Sequence, residues 1–528
     1  MRIVDPPSRA DLLRTLDQTS EWDVLVIGGG ATGLGVAVDA AARGYRTLLL
    51  EAHDFAQGTS SKATKLVHGG VRYLAQGNIS LVREALRERG LLARNAPHLV
   101  KKLGFLVPAF RWRDQLLYGA GLTVYDLLAG KLGFTKSRLL GAAETRAVLP
   151  TLNETLQGHP LRGSTLYYDG QFDDARLAIS LMRTIFDLGG AALNHIAVTG
   201  VAAEGPPGHQ RVTVKDRETG GELTVRSRCV VNATGVWVDA IRAMVDPGAR
   251  PIVAPSQGVH LTVAGKFLSS RHALMVPKTD DGRVMFVVPW HGHAIVGTTD
   301  TPRRDLPIEP HATEEEIDFI LRTAARYLTI PPTRADVLSV WAGLRPLVRG
   351  DQGASTAALS REHTVELHRG GMITVTGGKW TTYRHMAEEV IDLAIANGLL
   401  SAAPCRTENL PLHGAPSAEQ SGADSDSTDV YGTDRAVIDQ LPGADRVLVA
   451  ASGLTEAEVR FAVRAELARS LEDVLARRNR ALFLDASAAR HAAPKVARIL
   501  AEEMKCDDAW RTKQVAAFDT LARGWYPT

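Results

Sequence analysis

Gly28, Gly30 and Gly33 stand in G-x-G-x-x-G spacing, directly after the apolar run Val24-Leu25-Val26-Ile27 and before Val36-Ala37-Val38-Asp39-Ala40-Ala41-Ala42. That order reads strand, tight turn, helix. The first glycine permits the turn, the second lets backbone approach a pyrophosphate, and the third allows close helix–strand packing. The helix start offers free N–H groups and the positive end of its dipole to phosphate oxygens. A second apolar run, Thr47-Leu48-Leu49-Leu50, ends in Glu51, an acid placed to accept hydrogen bonds from an adenosine ribose. For Glu51 alone, a surface acid after a core strand is the plainer alternative. The glycine spacing alone is a weak signal; with both runs and the acid it specifies a dinucleotide site.

The stretch from Gly58 to Tyr73 is dense in groups that hydrogen-bond phosphate, polyol and carbonyl oxygens: Thr59, Ser60, Ser61, His68, Arg72 and Tyr73, with Gly70 among them. The same composition suits an ordinary loop, but its place straight after a nucleotide unit makes it a site candidate. Further on, Cys229-Val230-Val231-Asn232 runs into Ala233-Thr234-Gly235, a strand returning to the first sheet and ending in small residues that permit close approach to a cofactor.

These stretches need a large scaffold, and the 528-residue chain supplies one, with 45% hydrophobic and 23% charged residues as in ordinary soluble globular proteins. A formal charge of +2 is too small to suggest a nucleic-acid partner. The three cysteines, Cys229, Cys405 and Cys506, form no C-x-x-C pair; neither a disulfide framework nor a metal site is expected, and a reducing, cytoplasmic setting is. The first residues carry no apolar secretory segment, and no run reaches the roughly 18 apolar residues of a spanning helix. Leu116 to Leu128, flanked by Arg111, Arg113 and Lys131, suits either a membrane surface or a helix packed in the core.

In chain order the pattern predicts a lead-in helix within 1–21, a helix over 80–100, and a helix capped by Asp173 or Asp174. A hairpin turns at Glu218-Thr219-Gly220-Gly221, and strands over 252–300 make an antiparallel sheet. Ile373 to Thr376 leads through Gly377-Gly378-Lys379 into a helix beginning near Thr381. Residues 413–429 read as a flexible linker and 430–528 as a helical module, with a capping box at Thr455–Glu458. Arg477, Arg478 and Arg480 read as a solvated face.

The set of motifs resembles the aerobic, quinone-linked, FAD-dependent glycerol-3-phosphate dehydrogenases. The resemblance rests on Ile27–Gly33, Thr59-Ser60-Ser61, Lys65–Leu74, Asp173–Arg176, Val231–Val238, Gly297–Asp300, Gly343–Leu347 and Gly377–Arg384. The His68-Gly-Gly-x-Arg-Tyr and Gly377-Gly-Lys-x-Thr-Thr-Tyr-Arg segments are the most specific. Ser256-Gln257-Gly258-Val259-His260 departs from the Gly-Ser-His of bacterial relatives but keeps the histidine.

The resemblance implies an α/β fold. A Rossmann-like FAD-binding domain of the glutathione-reductase and D-amino-acid-oxidase kind (22–85, 165–250, 340–412) interleaves with an antiparallel-sheet substrate domain (86–164, 251–339), and an all-α C-terminal domain follows. It implies non-covalent FAD held by Gly28, Gly30, Gly33, Glu51, Thr59, Ser60, Ser61, His68, Gly70, Ala233, Gly235, Gly378, Lys379 and Thr381. His260 is the expected base and His68 its rival; Arg72, Tyr73, Arg345 and Lys379 are the expected substrate contacts, Arg345 also serving catalysis. The implied reaction oxidises glycerol 3-phosphate and passes electrons to a membrane quinone, with peripheral attachment to the inner face of the cell membrane. An oxidase releasing peroxide and a non-catalytic flavin sensor are the alternatives. Oligomeric state stays open, a homodimer being one option.

Overall fold

The computed structural model describes residues 6–71, 77–206, 208–349, 363–417 and 429–526. Two sheets share the first 400 residues. The first runs, edge to edge, Ile196–Ala203, Gln210–Asp216, Glu222–Asn232, Trp22–Ile27, Thr47–Leu50, Ala191–Leu193. Trp22–Ile27 lies parallel to both neighbours, with Val26 opposite Val231 and Leu49. Four successive buried side chains fit a strand covered on both faces. The helix Ala31–Ala42 covers one face, and Gly35 admits the ring of Tyr383 from the helix Tyr383–Ala396; a Cβ there would lie 2.7 Å from Cδ2.

The expected hairpin at 218–221 is present, but its second arm and the predicted strand at 229–232 are one element, Glu222–Asn232. Its first half pairs antiparallel with Gln210–Asp216 and its second half parallel with Trp22–Ile27. The strand thus carries the meander back to the nucleotide unit without a turn.

The second sheet is mainly antiparallel and runs Thr301–Pro302, Val253–Ala264, His293–Gly297, Met285–Trp290, Ala273–Val276, Val100–Ala109, Gly163–Phe172, Leu66–Val67. Val337–Val348 also pairs with Val253–Ala264. The boundaries drawn at 165 and 340 from sequence therefore fall inside strands of this sheet. Composition changes little along a buried strand, so nothing local marks where it joins one sheet or the other.

The lead-in helix is Arg9–Gln18, capped by Ser8 and burying Leu12 and Leu16. Of the linker, 418–428 lie outside the described residues, while His413 is anchored between Asp187 (2.7 Å) and Asp434 (3.0 Å). The C-terminal region is helical, with Glu456–Glu466, Ala486–Met504 and Asp508–Arg523 as its main helices and the expected capping box at Thr455. It packs on the second sheet: Phe483 and Trp525 bury against Trp341. The arginines read as a solvated face are all buried. Arg477 and Arg478 both donate to Asp54, and Arg480 Nη2 donates to Asp174 at 3.2 Å. Charge runs say nothing about acids brought in from 300 residues away or more.

Candidate active site

A cavity of about 630 Å³ opens between the two sheets. At one end is the glycine turn. Gly28 sits at φ +109°, and a Cβ there would lie 2.7 Å from the Ala233 carbonyl oxygen. A Cβ on Gly33 would be 1.9 Å from the Gly28 carbonyl oxygen, so only glycine allows the helix this close to the strand. Gly30 caps the helix Ala31–Ala42, whose first N–H, from Ala31, donates to Ser60 Oγ at 2.9 Å.

Glu51 accepts from the Gly29 N–H at 2.6 Å and the His53 N–H at 2.8 Å, one on each carboxylate oxygen. Both oxygens keep lone pairs for a diol. Burial raises its carboxyl above the usual range, against those two bonds. His53, beside it, is lowered to about 4 by burial and by Arg217 and His195. No spacing or motif marks His53 as a lining residue.

At the other end stand two strands. His260 on Val253–Ala264 pairs with Trp341, Gly258 with Gly343, and Ser256 with Arg345. Alternate residues share a face, so an imidazole, a bare glycine row and a guanidinium follow one another along one wall. His260 stacks on Trp341 with ring planes 13° apart, and its Nε2 shares a 2.9 Å hydrogen bond with Thr64 Oγ1. Burial, then Arg345 and Lys65, hold the imidazole well below its ordinary range, so it is uncharged at neutral pH. Arg345 is aimed by Asp300 (3.2 Å), Thr298 Oγ1 (3.0 Å) and the Thr299 carbonyl (3.0 Å).

Between the ends, Gly377 and Gly378 adopt positive φ and lead through Lys379 into the helical turn Trp380–Thr382. Trp380 Nε1 donates to the Ser60 carbonyl at 2.8 Å, and the His68 N–H donates to Thr381 Oγ1 at 3.2 Å. The cavity thus collects Gly28, Gly30, Glu51, Thr59, Ser60, His68, Ala233, Gly235, His260, Arg345, Gly378, Lys379 and Thr381 from the sequence reading. Gly33, Ser61 and Gly70 do not line it; Ser61 is buried beneath the floor. Arg72 and Tyr73 lie outside the described residues. Thr64 and Trp237, which lie in the Gly58–Tyr73 and Val231–Val238 stretches but were not named as contacts, also line it, as does Phe286, a single aromatic with no spacing signal.

The glycines and the diol-accepting acid fit a dinucleotide: Gly28 and Gly33 permit the tight turn and the close helix, and Gly30 leaves bare backbone for a pyrophosphate to approach. Residues 23–384 match the family model described as FAD dependent oxidoreductase, and 405–511 match the C-terminal domain of alpha-glycerophosphate oxidase. The chain is 38% identical to the human mitochondrial glycerol-3-phosphate dehydrogenase, covering 97% of this chain and 74% of that protein. With the Arabidopsis thaliana mitochondrial enzyme the identity is 41%, over 97% of this chain and 89% of the relative.

The chain belongs to the FAD-dependent glycerol-3-phosphate dehydrogenase family. The glycerol-3-phosphate dehydrogenase of Bacillus halodurans, solved with FAD, superimposes with a TM-score of 0.76 at 28% identity over 98% of both chains. An L-alpha-glycerophosphate oxidase of Mycoplasma pneumoniae shares the fold, with a TM-score of 0.57 at 18% identity over 74% of this chain and 97% of the other. Membership makes the protein a flavoenzyme with FAD as cofactor; of the cavity's lining residues, Gly28, Gly30, Glu51 and Ser60 are the ones that could hold adenosine and pyrophosphate.

Proposed function

We propose that the protein oxidises sn-glycerol 3-phosphate to dihydroxyacetone phosphate and delivers the electrons to a membrane quinone. The observation that carries the substrate half is the wall on which an uncharged His260 and the Arg345 guanidinium stand on either side of the Gly258–Gly343 pair. A small phosphorylated alcohol needs that set: a cation for the phosphate, a proton acceptor for the hydroxyl, and bare backbone between them. FAD, when bound, accepts the hydride.

Arg345 brings its guanidinium charge to the phosphate, and Lys379 adds a point charge from the glycine turn. His260 Nδ1 is buried and makes no hydrogen bond to a described residue. The uncharged imidazole, which lines the cavity, accepts the hydroxyl proton. Arg72 and Tyr73 are further phosphate contacts on the strength of their motif.

The quinone half is supported by the helix Trp112–Ala129. It buries Leu122 and Tyr125 but exposes Trp112 (70%), Leu116, Leu117 (69%), Val124 and Leu127 (75%). Arg111, Arg113, Lys136 and Arg138 are exposed nearby in the chain, the pattern of a helix lying on an anionic lipid surface. None of the described helices is long and apolar enough to cross a membrane. We place the protein on the cytoplasmic face of the cell membrane; its three free cysteines suit a reducing compartment.

The test is anaerobic addition of glycerol 3-phosphate, and separately of glycerol, to the FAD-loaded protein while the flavin band is followed. Only the phosphoester should bleach it. Reoxidation is then timed with a short-chain quinone and with oxygen. Quinone should win by at least tenfold; stoichiometric peroxide with slow quinone turnover would make it an oxidase.

A further inference from the structure

Behind the imidazole lies a buried cation that does not line the cavity. Lys65 follows Thr64, and its backbone sits in the left-handed region at φ 66°. That conformation is uncommon for a side chain of this size and persists only where surroundings enforce it. It sends two neighbouring side chains apart: Thr64 Oγ1 to His260 Nε2 at 2.9 Å, and Lys65 into the interior.

The Lys65 ammonium is caged. It donates to Asp174 Oδ1 at 2.9 Å and Oδ2 at 2.8 Å, and to the Ser61 carbonyl at 2.7 Å. Three aromatic faces surround it, with ring centroids at 5.3 Å for Trp290, 5.7 Å for Trp341 and 4.8 Å for Phe483. Trp341 is also the indole on which His260 stacks, so cation and imidazole share one ring as a wall. Phe483 comes from the C-terminal region, and so does Arg480, which donates to the Ser61 carbonyl at 2.7 Å and to Asp174 at 3.2 Å. No described residue of that region lines the cavity itself.

We propose that Lys65 is a positioning residue for His260: its caged ammonium fixes Thr64 against the imidazole and keeps the ring in its uncharged, proton-accepting form. The inference rests on His260 being the proton acceptor. The charged groups whose fields reach the ring are Arg345 from the adjacent strand and Lys65 itself. Those around Lys65 are Asp173, Asp174 and Arg480, with His291 also in its field. Burial and Arg480 lower the ammonium to about 7, so it is still charged at the lower pH where His260 titrates. A like charge in a low-dielectric interior disfavours protonation of the imidazole. The helical C-terminal region therefore helps set the state of a group in a cavity that its described residues do not line.

The test is the pH dependence of anaerobic flavin bleaching by glycerol 3-phosphate in rapid mixing, from pH 5 to 9. Lys65→Met should move the acid limb upward by at least about half a pH unit. Lys65→Arg, which keeps the charge, should retain the wild-type limb. Flavin content and melting temperature report folding; should Lys65→Met not fold, Lys65→Gln, which also removes the charge, is read in its place and should show the same displacement. A limb that stays put while the rate drops equally at every pH would mean a merely structural lysine and overturn the proposal. His260→Asn separates the two readings. Loss of the limb in that variant keeps His260 as the acceptor, whereas its persistence removes the base reading and the proposal with it.

Discussion

The guanidinium of Arg345 lies over the backbone of Gly258, where a Cβ would come within 2.2 Å of Nη2 and 2.6 Å of Cζ. Neither can be changed alone. Gly258→Ala must push the guanidinium off partners that include Asp300, Thr298, Thr299 and the Gln257 carbonyl. We expect the KM for glycerol 3-phosphate to rise at least tenfold, about 1.4 kcal/mol, with flavin content unchanged. Steady-state kinetics beside a flavin absorbance spectrum decide it; an unaltered KM would remove Arg345 from the phosphate site.

Lys379 tests the other cation. It lines the cavity between the Gly377-Gly378 turn and the Trp380–Thr382 turn. Lys379→Ala should raise the KM for glycerol 3-phosphate by at least tenfold while flavin content stays that of the parent. A loss of flavin with an unchanged KM would point to flavin positioning instead.

The buried arginines bind the C-terminal region to the nucleotide unit. Asp54, three residues past Glu51, accepts from Arg478 Nη2 at 2.9 Å and from Asn194 Nδ2 at 2.9 Å, and also from Arg477. Burial alone would raise its carboxyl; Arg478 and Arg477 outweigh that and hold it below the usual range. Removing one partner of such a buried pair leaves an uncompensated charge and costs roughly 3–5 kcal/mol. Arg478→Met should therefore lower the urea midpoint and release FAD on gel filtration, because the segment that carries Glu51 loses its support. A variant that melts and holds flavin like the parent would refute the coupling.

Why this network was invisible in the sequence while the glycine turn was not is a matter of range. Gly28, Gly30, Gly33 and Glu51 act through local geometry: a turn, a close approach, a strand end. Local geometry leaves a spacing. Arg478 finds Asp54 across 424 positions, and Lys65 finds Asp174 across 109. A buried arginine is spelled like an exposed one; only the acid it meets tells them apart. The same holds for Glu222–Asn232, whose two halves belong to different ladders. His260 and Arg345 are intermediate: their motifs were legible, but the bare row between them required the register.

Acid should weaken the fold through histidines buried without charge. Burial, with Arg217 and His195, lowers His53 to about 4, and burial, with Arg176 and His413, lowers His98 to about 4. Their contribution is complete above the unfolded value near 6.5 and is lost as pH falls through that value toward 4. His195 and His413 act oppositely: despite burial, Asp473 raises the first, and Asp187 and Asp434 raise the second, so they lose stability as pH rises. His98→Phe should remove about 2 kcal/mol of the drop between pH 6.5 and 5, read from urea unfolding at several pH values. An identical drop in the variant would mean that His98 is not among the groups responsible.

The lipid-facing reading stands or falls on the helix Trp112–Ala129. Its buried side is fixed: Tyr125 Oη accepts from the Gly69 N–H at 2.9 Å and donates to Asp169 at 2.6 Å, beside a segment that reaches the cavity at His68. Its outer side exposes Leu116, Leu117 and Leu127. Each fully buried leucine is worth roughly 1.5–3 kcal/mol, and burial at a headgroup boundary recovers part of that. Leu116→Ser/Leu117→Ser/Leu127→Ser should weaken binding to vesicles containing anionic phospholipid by at least tenfold in co-sedimentation. Anaerobic bleaching by glycerol 3-phosphate in free solution should stay within twofold of the parent, because none of the three side chains lines the cavity. Retained vesicle binding would send the search for the membrane contact to another face, and lost bleaching would mean that these residues support the fold through Tyr125.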